Sequence, residues 1–348
     1  MLGACRSQGP GIFGKCSIGG VVPFLRSCKL FAVKCFPFCQ RHDSSTLGLI
    51  NDEGTSMNYL QWVFIGFIYL PSAFAGSMSV MYSPQERSSA LGKCFDRYKG
   101  QLRDQNRLIV GVTLGYSDTA DEKMDLVMDG WLMRKVTYHL TKPCEYQGQG
   151  FCDFRIVRDG DGGPSLYERR LVGPNGDEVS VDFWLMSSSY SEFDSENQGL
   201  YRSQQKDKSE RARSFFEWTL NTADAVFYEG HSRDGGGPDF APPRTRSNGK
   251  VDYPWYRKNQ PGLKFLLGAL KKAQAPNLYF GLFSCSSEKH FRKSLSPFFA
   301  NTKMILSTKV ISAEKTKESL LTALESLLNF ECPEDMRTRI SPFSFVVR

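Results

Sequence analysis

From residue 206 onward, apolar residues alternate between helical and strand spacing. Lys206–Leu220 sets Ala212, Phe215, Phe216 and Leu220 on one helical face, with charges opposite. Ala225–Tyr228 follows as a short apolar run closed by Gly230, and Leu278–Phe283 (L-Y-F-G-L-F) and Met304–Ser307 repeat the signal. Runs of this kind, closed by turn residues, mark buried strands. Between and after them the spacing predicts three helices. One runs from Pro261 through Lys272, with Leu263, Leu266, Leu267 and Leu270 inward and Pro261 at the first helical position. A short one spans about Ser287 to Phe299, and Ala313–Phe330 carries Leu320, Leu321, Leu324, Leu327 and Leu328 at core spacing. Strand–helix alternation with apolar strands predicts an α/β fold, a mainly parallel sheet with helices on both faces.

Upstream the pattern is mostly β. Leu108–Leu114 is rich in branched residues, Lys135–Thr141 alternates as a half-buried strand does, and Cys152–Val157 is a further candidate strand. Leu166–Val172 and Glu178–Met186 predict a hairpin, because the intervening Asn-Gly suits a tight turn. A short helix is expected over Asp121–Trp131, whereas 77–107 is too weakly patterned for an assignment. Arg158–Ser165 is a turn; its acidic residues lack the closing glutamate of a calcium loop. Ser187–Gln205 and Phe240–Trp255 are expected to be loops. The expected organisation is a β-rich portion over 76–195 and an α/β domain over 196–348.

The first 75 residues differ from the rest. Met57–Leu70 is an uncharged, largely apolar stretch, and Ala73-Phe74-Ala75 follows, the pattern of a secretory signal peptide cleaved near Ala75. The stretch is short for a membrane span, so no stable span is expected in the mature chain. Residues 1–56 hold Cys5, Cys16, Cys28, Cys35 and Cys39 at no metal-site spacing, and the simplest expectation is an upstream extension preceding a start at Met57. The remaining chain has 38 cations and 34 anions, about +4, with no Lys/Arg-rich run of the kind nucleic-acid binding uses. A composition 41% hydrophobic and 23% charged excludes wholesale disorder.

Export to a secreted or periplasmic location places the cysteines where they pair. Cys144 and Cys152 flank a turn-rich stretch and can close a small loop; Cys94 and Cys332 can tie the two ends of the mature chain. That leaves Cys285 single, a thiol to examine for reactivity.

Two strand ends carry the candidate chemistry. One reads V-F-Y-E-G-H-S (226–232), the other Y-F-G-L-F-S-C-S-S (279–287), with one helix near 261–272 between them. A parallel crossover brings His231 and Cys285 to the same sheet edge, where ligands of such sheets collect. An imidazolium beside a thiol favours the reactive thiolate, and the same imidazole can protonate a leaving amine. Gly230, Ser232, Gly235, Gly236 and Gly237 form the candidate oxyanion and substrate loop, with the Cys285 amide as a further donor.

These motifs over about 206–310 resemble the caspase-like cysteine endopeptidases, in which one apolar run precedes a His-Gly and a later one precedes the catalytic Cys. Here His231 is followed by Ser232, and Gly230 precedes it. The resemblance implies a caspase-like fold, a His231–Cys285 dyad, a polypeptide substrate and no cofactor. Two other readings compete. Asp234, Asp239 and His290, with His231, make the glycine loop a candidate metal site of a metal-dependent hydrolase or metal-binding protein, although no H-E-x-x-H spacing is present. Alternatively the loop belongs to a non-catalytic exported binding protein.

Overall fold

The computed structural model describes residues 84–118, 125–146, 149–273, 277–298 and 302–348. The signal-like segment 57–75 and the extension 1–56 lie outside them. The described residues form part of one unit running from Ala75 to Arg348.

An eight-stranded mixed sheet organises that unit, in the order β2-β3-β4-β1-β5-β6-β7-β8. Its strands are β1 (Arg107–Leu114), β2 (Arg155–Arg158), β3 (Ser165–Val172), β4 (Glu178–Ser187), β5 (Ala225–Glu229), β6 (Tyr279–Phe283), β7 (Lys303–Ser307) and β8 (Phe345–Val347). The pairings β4–β1, β1–β5, β5–β6 and β6–β7 are parallel; β2–β3, β3–β4 and β7–β8 are antiparallel. The sheet is continuous across residue 195, since β1 lies between β4 and β5.

The helices are α1 (Pro84–Gln101), α2 (Met128–Thr141), α3 (Asp194–Gln198), α4 (Arg202–Thr222), α5 (Tyr253–Asn259), α6 (Pro261–Lys272), α7 (Ser287–Leu295), α8 (Ala313–Leu328) and α9 (Pro333–Ile340). Two hydrophobic layers cover the sheet. On one face Ala225, Phe227, Tyr279 and Phe283 pack with α1, α2, α8 and α9. On the other Val226, Tyr228, Phe280 and Leu282 pack with α4, α6 and α7. Burial on both faces explains why β5 and β6 are apolar without alternation. Gly111 of β1 lets α4 come close: a Cβ there would stand 2.4 Å from Thr219 Cγ2.

The connection leaving β1 passes through α2 toward β4, whereas that leaving β5 passes through α6 toward β6 on the other side. The two helices lie on opposite faces, as right-handed crossovers in opposite directions require. The carboxyl ends of β1 and β5 therefore bound a topological switch point, the crevice where open α/β sheets bind ligands.

Several elements differ from expectation. Lys135–Thr141 lies in α2, not in a strand. Val136 and Leu140 are four residues apart, a spacing that puts them on one face of either structure. Leu132 completes the helical stripe, and all three are buried. The helix expected over Asp121–Trp131 begins at Met128. Helix α1 occupies part of the weakly patterned 77–107 segment. It is held from outside itself: Cys94 bonds to Cys332, and the Tyr98 hydroxyl donates to the Glu331 carbonyl at 2.6 Å. The stretches 187–205 and 240–255, expected as loops, contain α3 and the starts of α4 and α5.

The structure pairs Cys94 with Cys332, 238 residues apart, and Cys144 with Cys152, and leaves Cys285 as the free thiol among the described residues. The long-range bridge restricts the unfolded chain far more than the short one. Replacing both Cys94 and Cys332 by Ser should lower unfolding stability by about 4 kcal/mol. A lowered urea midpoint by tryptophan fluorescence checks this. The Cys144/Cys152 pair should cost less.

Candidate functional site

β1, β5 and β6 end level with one another. Glu229 is in register with Leu114 on one side and Phe283 on the other. The following loops are stitched together by backbone: the Gly115 amide donates to the Glu229 carbonyl at 2.6 Å, Tyr116 to Asp239 at 3.2 Å, and Gly230 to Phe283 at 3.1 Å.

Tyr228 fills the space between these loops. Its buried hydroxyl donates to the Asp239 carbonyl at 3.0 Å and accepts from the Asp239 amide at 2.8 Å. A Cβ at Gly115 would meet that hydroxyl at 2.3 Å, and one at Gly230, where φ is +155°, at 2.6 Å. The glycines flanking the crevice are therefore required by a tyrosine, in addition to any room they leave for a ligand.

His231 sits two residues beyond the end of β5 and is one-third exposed. Its Nε2 lies 3.0 Å from Asp118 Oδ1 and 3.3 Å from the Asp118 carbonyl oxygen. Asp118 is brought there by the loop after β1. The same carboxyl oxygen accepts from the Arg233 guanidinium at 2.8 Å, and Arg233 Nε donates to Asp239 Oδ2 at 3.0 Å. Asp239 Oδ2 also accepts from the Tyr256 hydroxyl at 3.2 Å.

The Arg233 side chain is 1% exposed, so this is a buried cation bracketed by two carboxylates. Burial alone would raise the Asp118 carboxyl. The hydrogen bond from His231 and the charge of Arg233 outweigh it and hold that carboxyl well below the usual range. Burial acts on Arg233 in the opposite sense from its partners; Asp239 and Asp118 prevail and keep the guanidinium charged.

Cys285 stands two residues beyond the end of β6, level with His231 on the neighbouring strand. The turn that carries it is clamped to β7: the Ser287 amide donates to Ser307 Oγ at 2.9 Å, and the Ser307 amide to Ser287 Oγ at 2.7 Å. The thiol is half-buried and donates to the Ile311 carbonyl at 3.4 Å; it makes no hydrogen bond with His231. The strand ends are thus brought level, while the two side chains hold different partners.

In the glycine loop, Gly235 and Gly237 donate to the Ser232 carbonyl at 3.0 and 2.8 Å, and Gly236 to that of Arg233 at 3.0 Å. These amides and that of Gly230 are committed to backbone. Among the described residues the Ser232 and Cys285 amides have no protein acceptor.

Asp234 and Asp239, the candidate metal ligands, diverge. Asp234 faces Arg257 at 2.6 Å and His290 at 3.7 Å, whereas Asp239 faces Arg233 and Tyr256. Burial lowers the His290 imidazole against the opposing pull of Asp234. Among the described residues no group of three or more His, Cys, Asp or Glu is arranged to hold a metal ion.

Two further carboxyls lie beneath the crevice. Asp129 of α2 is buried; its Oδ2 accepts from the amides of Ser188 at 3.0 Å and Ser189 at 2.7 Å, closing the end of β4, while Oδ1 has no partner. Burial raises this carboxyl despite those hydrogen bonds. Burial also pushes Glu229 up to about 8, with the charge of Asp129 adding to the shift.

Asp118 and Arg233 had no assigned role in the motifs. Asp118 closes G-Y-S-D directly after the L-I-V-G-V-T-L strand, so its place at a strand end was legible; its meeting with His231 required the strand order. In comparisons with known proteins, no family model, no curated protein and no solved structure matches this chain.

Two pH dependences follow. Asp118 is depressed in the folded chain, so its ion pairs contribute stability that is full above pH about 4 and is lost as pH falls below it. Asp118→Asn should therefore cost about 3 kcal/mol at pH 7 and weaken the acid-side loss of stability. Glu229 behaves oppositely: between its ordinary 4.5 and about 8 the folded chain holds a proton that the unfolded chain releases, so stability falls as pH rises. Urea midpoints measured from pH 4.5 to 8 should show Glu229→Gln gaining on the wild type throughout that range. A constant offset would refute the assignment.

Proposed function

We propose that this chain is an exported cysteine endopeptidase-like hydrolase of caspase-like architecture, with Cys285 as nucleophile and His231 as general acid and base. The observation that carries the reading is the level ending of two adjacent parallel strands. His231 and Cys285 each lie two residues past the registered pair Glu229 and Phe283. Their position beside the switch point of the sheet, and a free thiol in a domain whose other described cysteines are paired, support it.

In this mechanism His231 takes the Cys285 thiol proton and the resulting thiolate attacks the peptide carbonyl carbon, forming a carbon–sulfur bond and a tetrahedral oxyanion. The amides of Ser232 and Cys285 are the donors left to receive that oxygen. With Nε2 held by Asp118, His231 has Nδ1 for proton transfer to the leaving amine. The carbon–nitrogen bond breaks to give a thioester, which water hydrolyses with His231 as base. The step needs no cofactor. Asp118 is a positioning residue: it holds Nε2 and so orients the imidazole. Attack requires the thiol to leave the Ile311 carbonyl, a rotation within reach of a half-buried side chain.

Two disulfides suit an oxidising, extracellular or periplasmic location. Among the described residues no helix is long and apolar enough to cross a membrane, in keeping with a mature chain that lacks a span.

Labelling the full chain with an electrophilic cysteine probe tests the dyad. Modification should map to Cys285 and slow by about tenfold or more in His231→Ala, as loss of the base that takes the thiol proton implies. Cys285→Ser should abolish labelling and retain the fold by circular dichroism. Labelling indifferent to His231 would instead favour a non-catalytic binding protein.

A further inference from the structure

Beside the crevice, on the face covered by α4 and α6, lies a cavity of about 680 Å³. Its size is that of a ligand site. The walls are the N-terminal three turns of α4, the end of α3, the first turn of α6 and the Pro-rich loop after the glycine loop, with Phe265 and Phe240 contributing apolar surface. Asp239 lines it too, so the cavity shares a residue with the network that holds His231.

Its lining carries a small excess of positive charge. Arg202, Lys206 and Arg213 line it, against Glu210 and Asp239. Asp239 is neutralised by Arg233, and Lys206 lies 3.9 Å from Glu210. Arg202 makes no ion pair among the described residues, and Arg213 lies over the Phe265 ring at 4.2 Å without a carboxylate partner. These cations are strung along α4, where residues 202 and 213 are separated by roughly 16 Å of helix axis at 1.5 Å per residue. That span matches about five residues of extended chain. A compact anion reaches at most Arg202 and its one-turn neighbour Lys206, which Glu210 already faces; only an extended one reaches both Arg202 and Arg213.

We propose that this cavity binds an extended acidic segment of polypeptide, with carboxylates against Arg202, Lys206 and Arg213 and apolar side chains against Phe265 and the neighbouring prolines. Nucleic acid fits less well. A nucleic-acid backbone carries an anion at every unit, whereas a peptide can set a neutral residue opposite Glu210, which stands among the cations. The inference rests on the cavity and needs no thiol chemistry.

The test is direct binding to the full oxidised chain carrying Cys285→Ala, so that turnover does not enter. The probes are fluorescein-labelled octapeptides of alternating Glu and Leu, Gln and Leu, and Lys and Leu, with labelled dT8 alongside, read by fluorescence anisotropy. The Glu peptide should bind saturably, at least about tenfold more tightly than the Gln peptide, and weaken as salt screens the charges. Arg202→Glu combined with Arg213→Glu should weaken it by about tenfold or more. Lys317→Glu, on α8 over the opposite face of the sheet, should leave it unchanged. Absence of saturable binding, equal binding of the Glu and Gln peptides, indifference to the double charge reversal, or tighter binding of dT8 would each overturn the proposal. A chain inert to cysteine probes that still selects the Glu peptide would retain this site without the hydrolase.

Discussion

A guanidinium excluded from water must be matched by anions held at bonding distance, and Arg233 imposes that condition on the whole crevice. Removing one partner of such an arrangement leaves an uncompensated buried charge, a cost of about 3–5 kcal/mol in comparable sites. The need is met by Asp118 from the loop after β1 and Asp239 from beyond the glycine loop. Satisfying one side chain therefore ties segments more than a hundred residues apart into one geometry. Asp118, once placed, has an oxygen for His231; Asp239, once placed, becomes a wall of the neighbouring cavity.

The backbone prepares for this arrangement. Arg233 and Asp234 both adopt positive φ, 45° and 53°, turning the chain sharply so that the guanidinium points inward while Asp234 meets Arg257 at the rim. The glycine amides close the loop on itself, and Tyr228 braces it from below. The loop is thus a built structure whose exposed product is an oriented imidazole. Cys285 is supported differently, by serine hydroxyls that fasten its turn to β7. Separate supports allow the two side chains to be level without touching.

Much of the α/β half was legible because its elements are buried on one stripe or on both faces. Pro261–Lys272 begins and ends where its leucine spacing places it, and the β3–β4 hairpin follows its Asn-Gly turn. Elements whose reason lies elsewhere in the chain were illegible. Helix α1 is mostly polar and is anchored by a distant cysteine and a distant carbonyl; the period of Lys135–Thr141 is shared by helix and strand over so short a stretch. Of the site, His231 and Cys285 could be found because each follows a strong strand signal. Asp118 could be placed at a strand end but not beside a histidine, because the chain order of strands does not state their spatial order.

The amino-acid sequence by itself determined the local periods, the turn chemistry, the cysteine count and the two residue types at two strand ends. These depend on neighbours a few positions away, and the apolar pattern records them directly. Tertiary structure alone decided that β1 lies between β4 and β5, that Asp118 and Asp239 converge on Arg233, and that the Cys285 thiol rests on Ile311. Those outcomes depend on which surfaces pack together and on which buried charges must meet. Such constraints act through space, between residues whose separation along the chain carries no trace of their proximity.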